Sequence, residues 1–433
     1  MRASSRIGQR TALLLSLVPL FIWLVVRNGE YGLDDIKAFS YSLGQLAALV
    51  GTAMFAITFI LTLRIKNMED YFGGLDKLYA FHHKLGAVSF ILLLFHPLLL
   101  LVKFLPQQVK LAASFLIPGA QWAYNFGIIA LALMIILLVM TFFIRMKYQN
   151  WKISHKLMGI LYMIAIFHFF FVTTDISRFP VLKYYMMFIS LIGMAAYLYT
   201  SYISLVAARK YEYTVDRVTR EGDVHIFELK PNGKHLEFMP GQFAFVQFMT
   251  KGLQGEPHPF TIASAQKEDG KVRFAIKSLG DYTKSLVAVK RGDKVLLQGP
   301  FGRFVYSLHK HDQIWVAGGI GITPFLGFIE DLKNNKHIGN IYFFYCTKNE
   351  EEMIFLDEVD AAAKDDKRLK VIPQCSDKQG FLTVDMIKKE CGTITDKHIF
   401  ICGPPIMREK LVAQLEKKGV KKKMIHFERF DLK

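Results

Sequence analysis

Residues 82–96 read HHKLGAVSFILLLFH, and residues 155–168 read HKLMGILYMIAIFH. Both stretches are as apolar as a membrane span, and each is closed at both ends by histidine. His82 and His96 are fourteen residues apart, and His155 and His168 thirteen. An ionisable side chain in hydrocarbon is costly and is kept for function. At ~1.5 Å of rise per residue, the members of each pair lie about 20 Å apart along a helix. Two such helices offer one imidazole each at two depths, a set that holds two stacked b-type haems, each ligated from both helices. His83 points about 100° away from His82 and stands outside this set. Fourteen residues return His82 and His96 to one face. Thirteen leave His155 and His168 some 140° apart, so a kink, a π-bulge or tilted haems are expected to absorb the difference. Phe90 and Tyr162, between the histidines, read as packing rather than as electron relays.

Outward from these stretches, six apolar segments can be drawn, at roughly 11–26, 43–63, 82–105, 121–144, 154–174 and 182–207. Most reach the ~20 residues needed to span a bilayer. No small-residue cleavage site follows the first, which therefore reads as a retained helix. Arg64, Lys66 and Lys77, then Arg145, Lys147 and Lys152, then Arg209 and Lys210 fall on the same side as Arg2, Arg6 and Arg10. Cations of short loops mark the cytoplasmic side, so both termini are expected there, on the inner side of a plasma membrane. Segments three and five then run parallel, with His82 level with His155 and His96 level with His168. The net charge of +17 falls at these loops and beside phosphate-type motifs, which excludes a nucleic-acid binder. Cys346, Cys375, Cys391 and Cys402 contain no C-x-x-C pair and fit a reducing cytosol.

Beyond residue 208 the sequence turns globular. Residues 209–307 read as an antiparallel β-barrel, with alternating strands such as 211–215 and 272–276 set between Gly, Pro and Asn turns. Pro240-Gly241-Gln242-Phe243 is followed by His258-Pro259-Phe260-Thr261, whose extended backbone presents the Thr261 hydroxyl to a flat ring. Lys277 ends a strand, and Gly280-Asp281-Tyr282-Thr283 opens a helix whose free amides suit a pyrophosphate. Residues 308–433 read as α/β. A strand from Gln313 runs into Gly318-Gly319-Ile320-Gly321-Ile322-Thr323-Pro324, a turn where backbone approaches a dinucleotide and a helix start receives its phosphates. This is not the G-x-G-x-x-G fingerprint. Thr347 and Lys348 follow the next strand and can hold a 2′-phosphate, although Glu350, Glu351 and Glu352 oppose one. Cys402-Gly403-Pro404-Pro405 ends a later strand, where a small thiol can sit beside a nicotinamide. The cations from Lys417 to Lys423 read as a solvated helix end.

Taken in this order, the soluble motifs resemble those of ferredoxin–NADP reductase modules. The histidine pairs resemble those of the ferric reductase transmembrane domain of NADPH oxidases, in particular the compact prokaryotic branch. The resemblance implies a six-helix transmembrane bundle over 1–208, an FAD-binding β-barrel over 209–307 and an α/β NAD(P)H-binding domain over 308–433. It implies iron ligation by His82, His96, His155 and His168. FAD contacts are implied from His258, Pro259, Phe260, Thr261, Lys277, Gly280 and Thr283. Nucleotide contacts are implied from Gly318, Gly319, Gly321, Thr323, Pro324, Thr347, Lys348, Gly403 and Pro404. Cys402 would stand at the nicotinamide, and Phe430 would stack on the flavin.

The expected activity is transfer of electrons from cytosolic NADPH, with NADH also used, through FAD and two b-type haems to oxygen outside, giving superoxide. The chain departs from its animal counterparts in one respect: segment two has no arginine near the outer haem, and Gln45 is the nearest polar residue there. Reduction of ferric chelates, supply of electrons to a periplasmic enzyme and a haem-free membrane flavin reductase are the alternatives. No obligatory protein partner and no separate activator are expected.

Overall fold

The structure, a computed structural model, describes residues 2–27, 29, 35–63, 65–146, 148–172, 174–203, 210–253 and 255–427. The chain forms two compact units, 1–207 and 208–433.

The first unit is helical: α1 (Arg2–Arg27), α2 (Ile36–Ile60), α3 (Lys66–Phe72), α4 (Leu75–Leu101), α5 (Val109–Ser114), α6 (Trp122–Phe142), α7 (Tyr148–Lys156), α8 (Met158–Phe171), α9 (Asp175–Arg178) and α10 (Pro180–Leu198). Among the described residues six spans are long and apolar enough to cross a membrane: Ile7–Arg27, Ile36–Ile60, Lys77–Phe104, Trp122–Phe142, Asn150–Phe171 and Pro180–Ile203. Helices α2 and α4 begin a full seven residues before the apolar runs, 43–63 and 82–105, that mark them in sequence. The Asp35 carboxylate accepts from the amides of Lys37 and Ala38 and starts α2. Lys77 in the first turn of α4 reaches back to the Gly73 carbonyl at 2.9 Å.

The second helix is the axis of this unit, with 78% of its apolar window buried. Small residues let its neighbours close on it. A Cβ on Gly193 of α10 would lie 2.9 Å from the Ala56 Cα, and one on Gly51 would lie 3.0 Å from the Leu93 Cγ.

The second unit contains two sheets. The first is antiparallel and six-stranded: β1 (Tyr211–Glu221), β2 (Val224–Pro231), β3 (Phe243–Phe248), β4 (His258–Thr261), β5 (Val272–Lys277) and β6 (Lys294–Phe301), in the order β4-β3-β6-β1-β2-β5. The Ala263 amide, just past β4, donates to the Arg273 carbonyl of β5 at 2.7 Å and draws the two edges together. The second sheet is parallel: β7 (Gln313–Gly318), β8 (Ile341–Thr347), β9 (Leu369–Cys375), β10 (His398–Cys402) and β11 (Ile425–Phe427), in the order β11-β10-β7-β8-β9. Strand order reverses between β7 and β10, and in open α/β sheets ligands bind in that crevice at the carboxyl ends of the strands.

The turn at Gly241 shows how tightly the barrel is set. Its φ is +93°, and a Cβ there would lie 1.9 Å from the Phe304 carbonyl oxygen. Gln242 beside it is buried and donates from Nε2 to the Gly302 carbonyl at 3.0 Å, joining the Pro-Gly turn to the Gly-Pro-Phe-Gly turn. Gly241→Ala adds backbone strain to overpacking and is expected to cost roughly 2–4 kcal/mol. Denaturant unfolding of the purified protein, followed by flavin release, measures this cost.

Candidate functional site

In the membrane unit the four histidines pair as their depths predict. The ring centres of His82 and His155 are 6.2 Å apart, and those of His96 and His168 are 6.4 Å apart. Two imidazoles bonded to one metal ion from opposite sides at about 2.0–2.1 Å have ring centres roughly 6 Å apart. Both separations fit a shared ion. His83 is exposed and outside both pairs.

Three of the rings are held by backbone. Nδ1 of His82 bonds the Thr58 carbonyl at 2.9 Å, Nδ1 of His96 the Gly44 carbonyl at 2.9 Å, and Nδ1 of His168 the Ala123 carbonyl at 2.7 Å. A carbonyl only accepts, so each Nδ1 carries the proton and each Nε2 keeps its lone pair for a metal. His155 is oriented differently. Its ring stacks on Trp151 at 5.1 Å and 12°, and its Nδ1 is buried without a hydrogen-bond partner. Gly127 makes room for His168, since a Cβ there would lie 2.6 Å from the imidazole Cε1.

The thirteen-residue spacing is accommodated by a break. Helix α7 stops at Lys156 and α8 starts at Met158, while the Leu157 amide bonds the Ser154 carbonyl in a tighter i→i+3 turn. Beside the break, the Tyr197 hydroxyl donates to the Lys156 carbonyl at 3.1 Å, and Tyr197 lies against Gly159, where a Cβ would be 2.1 Å from the ring. Between the two histidine layers, Tyr162 is fully buried with Phe55 and Phe59 at 5.0 and 5.1 Å. Phe90 packs on Phe55.

One group here escaped the sequence reading. Arg27, at the end of α1, donates to Gln45 at 3.0 Å and to Ser42 at 2.9 Å, and pairs with Asp175 at 3.0 Å. Trp23 donates to the same carboxylate at 2.8 Å. The arginine that α2 lacks is delivered to Gln45 from α1, one residue from the Gly44 carbonyl that holds His96. The available signal was two opposite charges, Arg27 and Asp175, each at the margin of an apolar run.

In the soluble unit, His258 and Tyr282 stack face to face at 3.6 Å, with Phe260 6.5 Å from Tyr282. Burial, then the nearby Glu256 charge, pushes the Tyr282 phenol up to about 12, so it is neutral. Thr261 is buried at the end of β4, two residues after Pro259. The Thr283 hydroxyl accepts from the Gly280 and Leu279 amides at 2.9 Å, closing the short helix start, and Lys277 pairs with Asp223 at 3.4 Å. The barrel motif and the glycine turn are tied together: the Ala265 amide donates to Glu330 at 2.7 Å, and a Cβ on Gly327 would meet the Ser264 carbonyl at 2.9 Å.

At the switch between β7 and β10, Ala317 is level with Cys402. A Cβ on Gly321 would lie 2.4 Å from the Cys402 carbonyl oxygen, and one on Gly403 would lie 2.9 Å from the Gly318 Cα. The two turns therefore touch backbone to backbone, and Gly319 adopts a left-handed φ of +53°. Thr323 is buried, and Pro324 lies in the first turn of the helix at 323–331. Cys402 is buried at the carboxyl end of its strand. At the end of β8, the Thr347 hydroxyl donates to the Asn349 carbonyl at 2.6 Å, and Lys348 follows it into the turn. Glu350 of the acidic turn pairs with Lys378 at 2.8 Å. Phe430 lies outside the described residues.

Comparison with known proteins agrees with this arrangement. Residues 47–166 match the family described as ferric reductase like transmembrane component, 213–304 an FAD-binding domain and 315–412 an oxidoreductase NAD-binding domain. NADH-cytochrome b5 reductase 2 of Mycosarcoma maydis is 29% identical over 214 residues, 45% of this chain and 61% of that protein. Dual oxidase 2 of Sus scrofa is 26% identical over 275 residues, 59% of this chain and 17% of that protein. The chain thus spans less than two thirds of the length of either relative. The crystal structure of Amycolatopsis cytochrome P450 reductase covers 51% of this chain and 70% of its own, at 20% identity and a TM-score of 0.46.

Gly321→Ala forces the two turns apart. NAD(P)H oxidation, measured with a soluble dye as acceptor, is expected to fall at least about 10-fold, the equivalent of ~1.4 kcal/mol. Flavin content should stay unchanged.

Proposed function

We propose, from its membership of the superfamily of ferric reductases and NADPH oxidases, that this chain carries electrons from cytosolic NAD(P)H across the membrane to oxygen and releases superoxide. The observation that carries this reading is the pair of histidine separations, 6.2 and 6.4 Å, with backbone bonds at Nδ1 leaving Nε2 of His82, His96 and His168 free to ligate. When bound, FAD and two b-type haems would supply the change from two-electron to one-electron transfer and the path through the bilayer.

The residues divide the work. The amides at Gly319–Thr323 and the helix start behind them suit a nucleotide pyrophosphate, and Gly318, Gly321, Gly403 and Pro404 let it lie flat on the sheet edge. Cys402 closes the crevice where a nicotinamide would present its hydride. Thr347 and Lys348 face the adenosine end, with NADPH preferred and NADH accepted. His258, Pro259, Phe260 and Thr261, with Tyr282 stacked behind His258, form the wall for the flavin. Lys277, Gly280 and Thr283 are assigned to its phosphates. His82 with His155 serves the inner haem, and His96 with His168 the outer one. The short-loop cations support this orientation, with both termini cytoplasmic.

His82 with His155, and His96 with His168, would each hold their haem between two imidazoles. A haem so held would supply electrons to an acceptor one at a time, which favours superoxide. Arg27 brings a buried cation to the outer pair through Gln45, where negative charge develops on the acceptor.

The purified, FAD-supplied protein given NADPH in air is expected to reduce cytochrome c in a reaction that superoxide dismutase abolishes. Reduction that persists unchanged makes the chain a reductase of metal or protein acceptors. His96→Ala is expected to remove about half of the haem absorbance, the share of one of two sites, and all reduction of the acceptor, while flavin reduction by NADPH continues. Unchanged haem content would refute the ligand assignment.

Arg27→Ala strands the Asp175 carboxylate and is expected to cost roughly 3–5 kcal/mol of stability. The double variant Arg27→Met with Asp175→Asn should recover much of this and keep both haems, yet reduce oxygen several-fold more slowly. Oxygen reduction at the wild-type rate in the double variant would make the pair purely structural.

A further inference from the structure

A second group of imidazoles lies in the soluble unit, at the amino end of the parallel sheet, where β10 begins at His398 and ends four residues later at Cys402. His309 follows the turn at Tyr306–Leu308, His398 opens β10, and His426 is central in β11. One ring nitrogen from each lies within 4.8 Å of the others, and all three residues are half-buried. Nδ1 of His398 and Nε2 of His426 are hydrogen-bonded at 2.9 Å. The ring centres of His309 are 4.0 Å from His398 and 4.4 Å from His426.

The surroundings hold this group in place. Gln313 is fully buried, donates from Nε2 to the carbonyls of His309 at 2.7 Å and Tyr306 at 3.1 Å, and accepts from Trp315 at 2.8 Å. The turn carrying His309 is thereby pinned to the first residue of β7, which is level with His398 across the sheet. The His426 ring stacks on Phe400 at 4.5 Å and 20°, and Phe400 is its register partner. Three separate segments, two of them paired strands, thus converge their imidazoles on one point.

We propose that His309, His398 and His426 bind one divalent transition-metal ion of the zinc class, and that the ion fastens β11 to the sheet. The donor set is imidazole alone, which suits zinc, copper or nickel rather than magnesium or calcium. Ligand nitrogens around a tetrahedral zinc at about 2.0–2.1 Å stand roughly 3.3 Å apart, within reach of small ring rotations from the present spacing. On binding, the proton between His398 Nδ1 and His426 Nε2 moves to the other ring nitrogen of the imidazole that carries it, so that both neutral rings turn a lone pair to the metal. Three protein ligands leave the fourth position to water. Strand β11 is only three residues long and lies at the sheet edge, so a metal staple at its centre is a large addition to what holds it.

The test uses untagged, full-length, FAD-loaded protein, stripped with a chelator and then given zinc alone. Metal is counted by mass spectrometry and affinity is read by competition with a chromophoric chelator. One tight zinc per chain is expected, with zinc raising the melting temperature. His398→Gln and His426→Gln should each weaken binding by about 100-fold or more, the top of the range seen on losing even an outer-shell partner, and should lose the thermal shift. His337→Gln, at an exposed loop position, should change neither. If either strand variant loses its flavin, His309→Asn in the turn carries the comparison instead. Equal zinc content and affinity in the wild type and the three cluster variants would overturn the proposal, as would a wild type that binds no zinc.

Discussion

The membrane unit depends on one seam, where α4 lays its polar groups against the backbone of α2. In hydrocarbon no water satisfies a stray donor, so each must find a partner in the protein. His82, Ser89 and His96 donate to the carbonyls of Thr58, Gly51 and Gly44, at 2.9, 2.8 and 2.9 Å. Donors and acceptors both step by seven residues, in opposite directions, as two antiparallel helices in continuous contact require. Ser40 answers from the other helix, donating to the Leu99 carbonyl at 2.9 Å. The same bonds join the helices and fix the tautomer of two candidate metal ligands. Packing and the orientation of these candidate ligands are therefore one arrangement, and glycine at 44 and 51 is what lets the backbones approach closely enough to make it.

The opposing wall is built by other means. His168 takes a carbonyl from α6 through the gap left by Gly127, whereas His155 relies on Trp151 and on the interruption at Leu157. A straight helix would turn these two imidazoles apart. The break realigns them, and Tyr197 meets the Lys156 carbonyl beside it. Tyr162 and its phenylalanine neighbours then fill the space between the two layers, so that the histidine pairs stay apart in depth and dry.

In the soluble unit the equivalent constraint is backbone proximity. Gly318, Gly321 and Gly403 stand where a single methyl group would collide with the neighbouring turn, and Gly241 stands where it would collide with the Phe304 carbonyl. Without side chains at these positions, the two turns at the strand switch close on each other backbone to backbone. The far end of the same strands gathers three histidines instead, so one sheet carries a candidate nucleotide site at its carboxyl edge and a candidate metal site at its amino edge.

Sequence alone located the six apolar spans, though not where each helix starts, and the spacing of the two histidine pairs, because hydrophobic length and residue spacing are local properties that survive any packing. It also placed the strand-end motifs, since glycine and proline dictate backbone shape where they stand. What it left undecided depended on partners remote in the chain. The carbonyls of Thr58, Gly44 and Ala123 carry no signature of their own, and the tighter turn at Leu157 has no proline to announce it. Arg27 reaches Gln45 only because α1 packs on α2, and His309, His398 and His426 meet only when β7, β10 and β11 align. Tertiary structure decided these because a hydrogen bond or a shared ligand site depends on distance in space, which residue spacing does not encode.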